Sequence, residues 1–148
     1  MKVLFVCRGN VGRSQMAAEL FTKCTGIKAD SAGTLVEAPG STLQDLWNIS
    51  PGVEPIVRFM KEEGCDATKN VRRQITPEMA SGYDRIIVMA EMETVPDYLR
   101  ENKATEFWEV EDPKGMDDEG YRKVIADIKR KIGEFVERNK LPVVCDFK

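Results

Sequence analysis

The stretch Cys7-Arg8-Gly9-Asn10-Val11-Gly12-Arg13-Ser14 (CRGNVGRS, residues 7–14) decides the reading of this chain. It follows a short apolar run, KVLFV (residues 2–6), and leads directly into QMAAELF (residues 15–21). An unbroken apolar run bounded by turn residues reads as a buried strand. Residues 13–25 read as a helix, because Met16, Ala17, Leu20, Phe21 and Cys24 form one apolar stripe and Gly26 stops it. The eight residues between are a strand-to-helix bend. Such a bend, at the carboxyl end of a parallel strand, directs backbone N–H groups and a helix N-terminus into one concavity suited to a phosphate-sized anion. Gly9 and Gly12 would supply positive φ and close approach, Asn10 tolerates a left-handed conformation, and Arg13 can fork onto two anion oxygens. Cys7 would lie at the bottom, among donors that favour a thiolate. The plain reading of a lone cysteine at a strand end is a small core residue.

The same alternation continues. IKADSA (27–32), DRIIVMA (84–90) and TEFWEV (105–110) read as strands. A helix is expected after Ser50-Pro51, with Val53, Ile56, Val57 and Met60 on its face and Gly64 as its stop; another is expected over 117–138. The expectation is one domain over residues 1–148, a three-layer, doubly wound α/β fold with four parallel strands, flavodoxin-like or Rossmannoid. LVEAPGSTLQDLWNIS (35–50) is the one long irregular stretch.

The chain has 148 residues, 42% of them hydrophobic and 32% charged, as expected of a water-soluble globular protein. A net charge of −3 argues against nucleic acid as a partner. No apolar run approaches the roughly 20 residues of a membrane helix, and MKVLFV is too short for a signal peptide, so no membrane and a cytoplasmic location are expected. The four cysteines are widely spaced, which points away from disulfides and zinc. No histidine is present. That excludes Ser-His and Cys-His pairs and leaves the chemistry to Cys, Asp, Glu, Arg, Lys, Ser or Tyr, with no metal or other cofactor expected.

The pattern C-x-x-N-x-x-R-S, met by Cys7, Asn10, Arg13 and Ser14 directly after the first strand, resembles the active-site loop of the low-molecular-weight protein tyrosine phosphatases and of the arsenate reductases sharing their fold. The resemblance extends to DSAGT (30–34), SPGVEPIVRFMKEEG (50–64) and DRIIVMA, covering nearly the whole chain with an insertion near 35–46. It implies a phosphatase acting on a phosphotyrosine protein, an aryl phosphate or a small oxyanion, through a phosphocysteine. Cys7 would be the nucleophile, Arg13 the oxyanion ligand, Asn10 the keeper of loop shape and Ser14 a hydrogen-bond donor to the thiolate. Ser31 would brace the loop. Arg8, at a variable position of the pattern, is expected at the rim.

A thiolate that takes a phosphoryl group needs a proton for the departing oxygen. Asp112, in VEDPKG, is held extended by Pro113 at the same sheet edge as Cys7, and it matches the family's Asp-Pro acid. Its plain alternative is a turn cap. Several positions depart from the family. Gly12 stands where a second cysteine is often found, Lys114-Gly115 where substrate-stacking tyrosines follow Asp-Pro, and Ala90 where an acidic residue is common. Trp47, with Asn48, resembles an aromatic pair beside the cleft, the alternative being a core plug. Lys69, Arg72 and Arg73 either rim the cleft or form a solvated basic loop. Two rival functions stand beside the first: a single-cysteine arsenate reductase using an external thiol, and a dormant phosphate- or phosphopeptide-binding module.

Overall fold

β1 (Val3–Cys7) is buried along its whole length and lies between two parallel neighbours. The computed structural model describes residues 1–145. It places β1, β2 (Ala29–Gly33), β3 (Arg85–Val88) and β4 (Thr105–Phe107) in one parallel sheet of order β2-β1-β3-β4. The register sets Cys7 beside Gly33, Val6 beside Val88, and Val88 beside Phe107. The tip of β1 therefore emerges at the middle of the sheet's carboxyl edge.

Side-chain alternation along β1 feeds two cores. Val3 and Phe5 pack against α1 (Arg13–Thr25), α2 (Val53–Glu62) and α5 (Asp118–Arg138). Leu4 and Val6 face the other way, towards α3 (Pro77–Ala80), α4 (Asp97–Arg100) and the segments around Ile75 and Val95. Helices thus cover both faces, as expected of a doubly wound sheet. Phe5 is the hub of the larger core, with ring centroids 5.6 Å from Phe21 and 5.8 Å from Trp108. Phe135 of α5 closes the group, 6.0 Å from Phe21 and 6.2 Å from Trp108. Such pairs add roughly 0.5–1.5 kcal/mol each beyond area burial. They anchor the strand two residues before Cys7.

Helix α1 spans 13–25 as its stripe predicts, and Gly26 ends it at φ 74°. Asp117 caps α5 by accepting from the Gly120 N–H at 2.9 Å. The start of α2 differs from expectation. Ser50 does not cap it; residues 46–53 form successive turns, and the helix begins at Val53 with Gly52 before it. β4 ends at Phe107 rather than residue 110, since it is an edge strand with Phe107 exposed and only the Trp108 N–H bond to Val88 O continuing it. Residues 35–50 pair with the 70–74 segment through a Thr42–Val71 bridge, and Leu43 is fully buried. No helix among the described residues is long and apolar enough to cross a membrane.

Gly33 lies directly against the bend. A Cβ there would fall 2.6 Å from Arg8 O, 2.6 Å from Val36 Cγ2 and 3.0 Å from Asn10 N. Two of these are backbone atoms of the loop, so Gly33→Ala should destabilise the fold by about 1–3 kcal/mol. It should also lower oxyanion affinity measured well below the melting temperature. Wild-type melting and binding in this variant would show that the loop can shift freely.

Candidate active site

The bend is built by turning its carbonyls outward. Cys7 O accepts from the Thr34 N–H and Arg8 O from the Leu35 N–H, each at 2.9 Å. Gly9 O accepts from both Nη2 and Nε of Arg72, at 2.9 and 3.3 Å. Asn10 O accepts from Gln15 Nε2 at 3.0 Å. No peptide among the described residues is cis, so each plane carries its C=O and the next N–H in opposite directions. The N–H groups of Arg8, Gly9, Asn10 and Val11 therefore turn inward, and none has an acceptor among the described residues. On that side lies a cleft of about 390 Å³ that Cys7, Arg8, Gly9, Val11, Gly12 and Arg13 line, with Asn10 buried behind it.

The left-handed position in this loop is Asn10, at φ 54°, and not either glycine; Gly12 has φ −104°. The Asn10 side chain is fully buried and joins two elements. Its Oδ1 accepts from the Arg73 N–H at 2.8 Å, and its Nδ2 donates to Ser14 Oγ at 2.7 Å. With that lone pair occupied, the Ser14 hydroxyl is free to donate to Cys7 Sγ, 3.0 Å away. Asn10, Ser14 and Cys7 are thus joined in one hydrogen-bonded chain.

Arg13 is 5% exposed. Its Nη1 donates to Met89 O at 2.7 Å and Val110 O at 3.2 Å, tying the guanidinium to the chain ends that follow β3 and β4. Nη2 donates to Glu91 Oε1 at 3.0 Å and lies 3.8 Å from Asp112 Oδ2. Nε and the second Nη2 hydrogen have no closer protein acceptor among the described residues, so one edge of the fork remains for an anion. Asp112 is half-exposed on its loop and accepts from the Lys114 N–H at 3.1 Å. Its other oxygen reaches the cleft beside Arg13. Arg8 is exposed at the rim.

Around the cup, Val11, Leu35, Ile56, Pro113 and Tyr121 give apolar wall, and Glu37, Ser50 and Lys114 give polar rim. Burial, with Asp112 and Glu54 nearby, pushes the Tyr121 hydroxyl up, so it stays neutral at ordinary pH. Burial beside Cys145 pushes the Cys24 thiol up to about 11, and burial also raises Cys65. Neither belongs to the cup.

The family model for low molecular weight phosphotyrosine protein phosphatases matches residues 2–142. The chain belongs to that family. It is 27% identical over 144 residues to Arsenate reductase 1 of Staphylococcus epidermidis, covering 92% of this chain and 96% of that one. Among solved structures, the low molecular weight protein tyrosine phosphatase from T. tengcongensis superposes with a TM-score of 0.72 at 28% identity, over 93% of this chain and 99% of that one. Vibrio vulnificus Wzb, solved with benzylphosphonate, gives a TM-score of 0.77 at 21% identity, over 93% and 97%.

Some expectations for this phosphatase need correction. Ser31 makes no side-chain hydrogen bond to the loop. It sits beside Phe5 in the register, below the loop, and faces a separate groove with Asp30 and Arg73. The bracing comes from Thr34, Leu35, Arg72 and the Arg73 N–H instead. Trp47 does not line the cleft. The turns after the 3₁₀ segment Gln44–Leu46 carry it to a groove along α2 with Val57, Arg58 and Lys61, where it is 40% exposed. Lys69 and Arg73 are exposed, but Arg72 is 5% exposed and belongs to the cup. Ala90 itself carries no acid, and the carboxylate that pairs with Arg13 is that of the next residue, Glu91.

Arg13→Lys should weaken phosphate or vanadate binding by about tenfold or more, because lysine keeps the charge and loses the planar fork. Arg8→Lys should change it by less than about threefold. Calorimetric titration of both variants compares them, and equal losses would contradict this geometry.

Proposed function

We propose that this phosphatase hydrolyses phosphate monoesters, of phosphotyrosine in a protein or of a small aryl alcohol, through a phosphocysteine at Cys7. The observation that carries the reading is the Ser14 Oγ to Cys7 Sγ contact of 3.0 Å, beneath four inward N–H groups and the open edge of Arg13. The N–H groups and Arg13 hold the three non-bridging oxygens, and the sulfur faces phosphorus opposite the ester oxygen. The S–P bond forms as the P–O ester bond breaks, and the Asp112 carboxyl gives its proton to the departing oxygen. Water then attacks phosphorus, Asp112 takes back a proton, and the S–P bond breaks to release phosphate and the thiolate. Ser14 stabilises the thiolate whenever it is the leaving group. No cofactor enters this scheme. All four cysteines are free thiols, as a reducing, cytoplasmic setting would keep them.

The likeness to an arsenate reductase over nearly the full chain supports a second reading. Among the described residues, Cys7 is the only cysteine lining the cleft, so a reductase built on this cup needs an external thiol. Measuring p-nitrophenyl phosphate hydrolysis beside glutathione-dependent arsenate reduction separates the two readings. Hydrolysis should dominate and Cys7→Ser should abolish it. Turnover of neither substrate, with oxyanion binding retained, would favour a binding module.

Asp112→Asn should lower kcat by about 10²- to 10⁴-fold for alkyl phosphates, whose leaving oxygen needs the proton. It should lower kcat much less for p-nitrophenyl phosphate. A loss independent of leaving-group basicity would remove Asp112 from the acid role.

A further inference from the structure

We infer that Arg72 is a positioning residue of the oxyanion cup, holding the Gly9–Asn10 peptide so that the Asn10 N–H faces the anion. This rests on the phosphate-cup reading above. The first two inward N–H groups are set by backbone, because Thr34 and Leu35 at the end of β2 hold the Cys7 and Arg8 carbonyls. The third carbonyl, Gly9 O, lies beyond the reach of β2 and is held by the side chain of Arg72, through Nε and Nη2 together. On its Asn10 side the peptide nitrogen rests against Gly33. On its Gly9 side a Cβ would meet no atom within 4 Å, so there the direction of the carbonyl is left to Arg72.

Arg72 is itself locked from behind. Its Nη1 donates to Glu37 O at 2.5 Å and lies 3.4 Å from Ser41 Oγ. Its backbone N–H donates to Ser41 O, and its carbonyl accepts from the Gly40 N–H, both at 2.8 Å. The 37–41 portion of the irregular 35–50 stretch thus encloses Arg72 and buries it.

The charge balance points the same way. Both arginines of the cup are 5% exposed. Arg13 has Glu91 and Asp112 within 4 Å, whereas Arg72 has no carboxylate that close among the described residues. Burying a guanidinium against carbonyls alone is costly. Burial pulls Arg72 downward, and the groups that oppose this are the Glu37 carboxylate and Cys7. A buried cation with no carboxylate within 4 Å, opposed only by the more distant Glu37 and by Cys7, suits a cup whose ligand is an anion. An apolar residue would serve better if the position were only structural.

The test compares Arg72→Lys and Arg72→Met with the wild type. Lysine keeps the charge and loses the two-pronged hold. Vanadate affinity and kcat for p-nitrophenyl phosphate should fall about 10- to 100-fold in both variants, the scale for one misplaced oxyanion donor. KM should change by less than about threefold. The Asn10 amide resonance, which should move on adding vanadate to the wild type, should stay still in both. Wild-type affinity and kcat in Arg72→Lys would overturn the clamp. So would losses that appear only near the melting temperature, with the Asn10 response intact. If Arg72→Met does not fold, Arg72→Lys decides alone. If the wild type binds no vanadate, the cup reading itself falls, and this role with it.

Discussion

Everything at this site depends on four consecutive carbonyls being held outward. Each tether alone is modest, since a hydrogen bond contributes about 0.5–1.5 kcal/mol net to stability. Their value lies in direction. Donors fixed before the ligand arrives need no reorganisation when charge develops on it, and a partly desolvated cup makes them stronger than they would be in water. The tethers come from different parts of the chain: the end of β2 (Thr34, Leu35), the 70–74 segment (Arg72) and the first turn of α1 (Gln15). The local bend is therefore a product of the whole fold.

The fold supplies two kinds of support. The aromatic group around Phe5 fixes β1 and hence the position of Cys7, two residues on and on the same face. The central place of β1 in the sheet lets neighbours approach from both sides, so β2 braces the loop while the residues after β3 and β4 hold Arg13 through Met89 O and Val110 O. Burial falls off towards the rim. Cys7 and Arg13 are buried, but Asp112 sits half-exposed on a loop, where the proposed proton donor could follow both the leaving group and the incoming water.

Much of this is legible in the sequence, because it is local. The strand-bend-helix order, the roles open to Cys7, Asn10, Arg13 and Ser14, the Gly26 stop and the Asp-Pro loop all depend on residues within a few positions of each other. What the sequence hides depends on distant parts of the chain. Glu91 reaches Arg13 from 78 positions away and Arg72 reaches Gly9 from 63. Neither carries a local signal beyond a charge near a strand end or in a basic run. Ser31 lies opposite Phe5, too deep in the sheet to brace the loop, and only strand pairing reveals that. Trp47 follows the turns of the 46–53 segment rather than the cleft, in a stretch with no periodicity to orient it. The left-handed turn that a glycine would take most easily falls to Asn10, whose buried side chain fixes it there.

The central claim is that Cys7 carries the phosphoryl group between two half-reactions. The most direct measurement is rapid acid quenching during turnover of p-nitrophenyl phosphate, followed by digestion and mass spectrometry of the peptide containing residues 3–13. The account predicts a phosphoryl adduct on Cys7 that accumulates within the first turnover, is absent from Cys7→Ala, and persists longer in Asp112→Ala. Steady hydrolysis with no covalent phosphate on Cys7 at any quench time, or with turnover retained in Cys7→Ala, would contradict it.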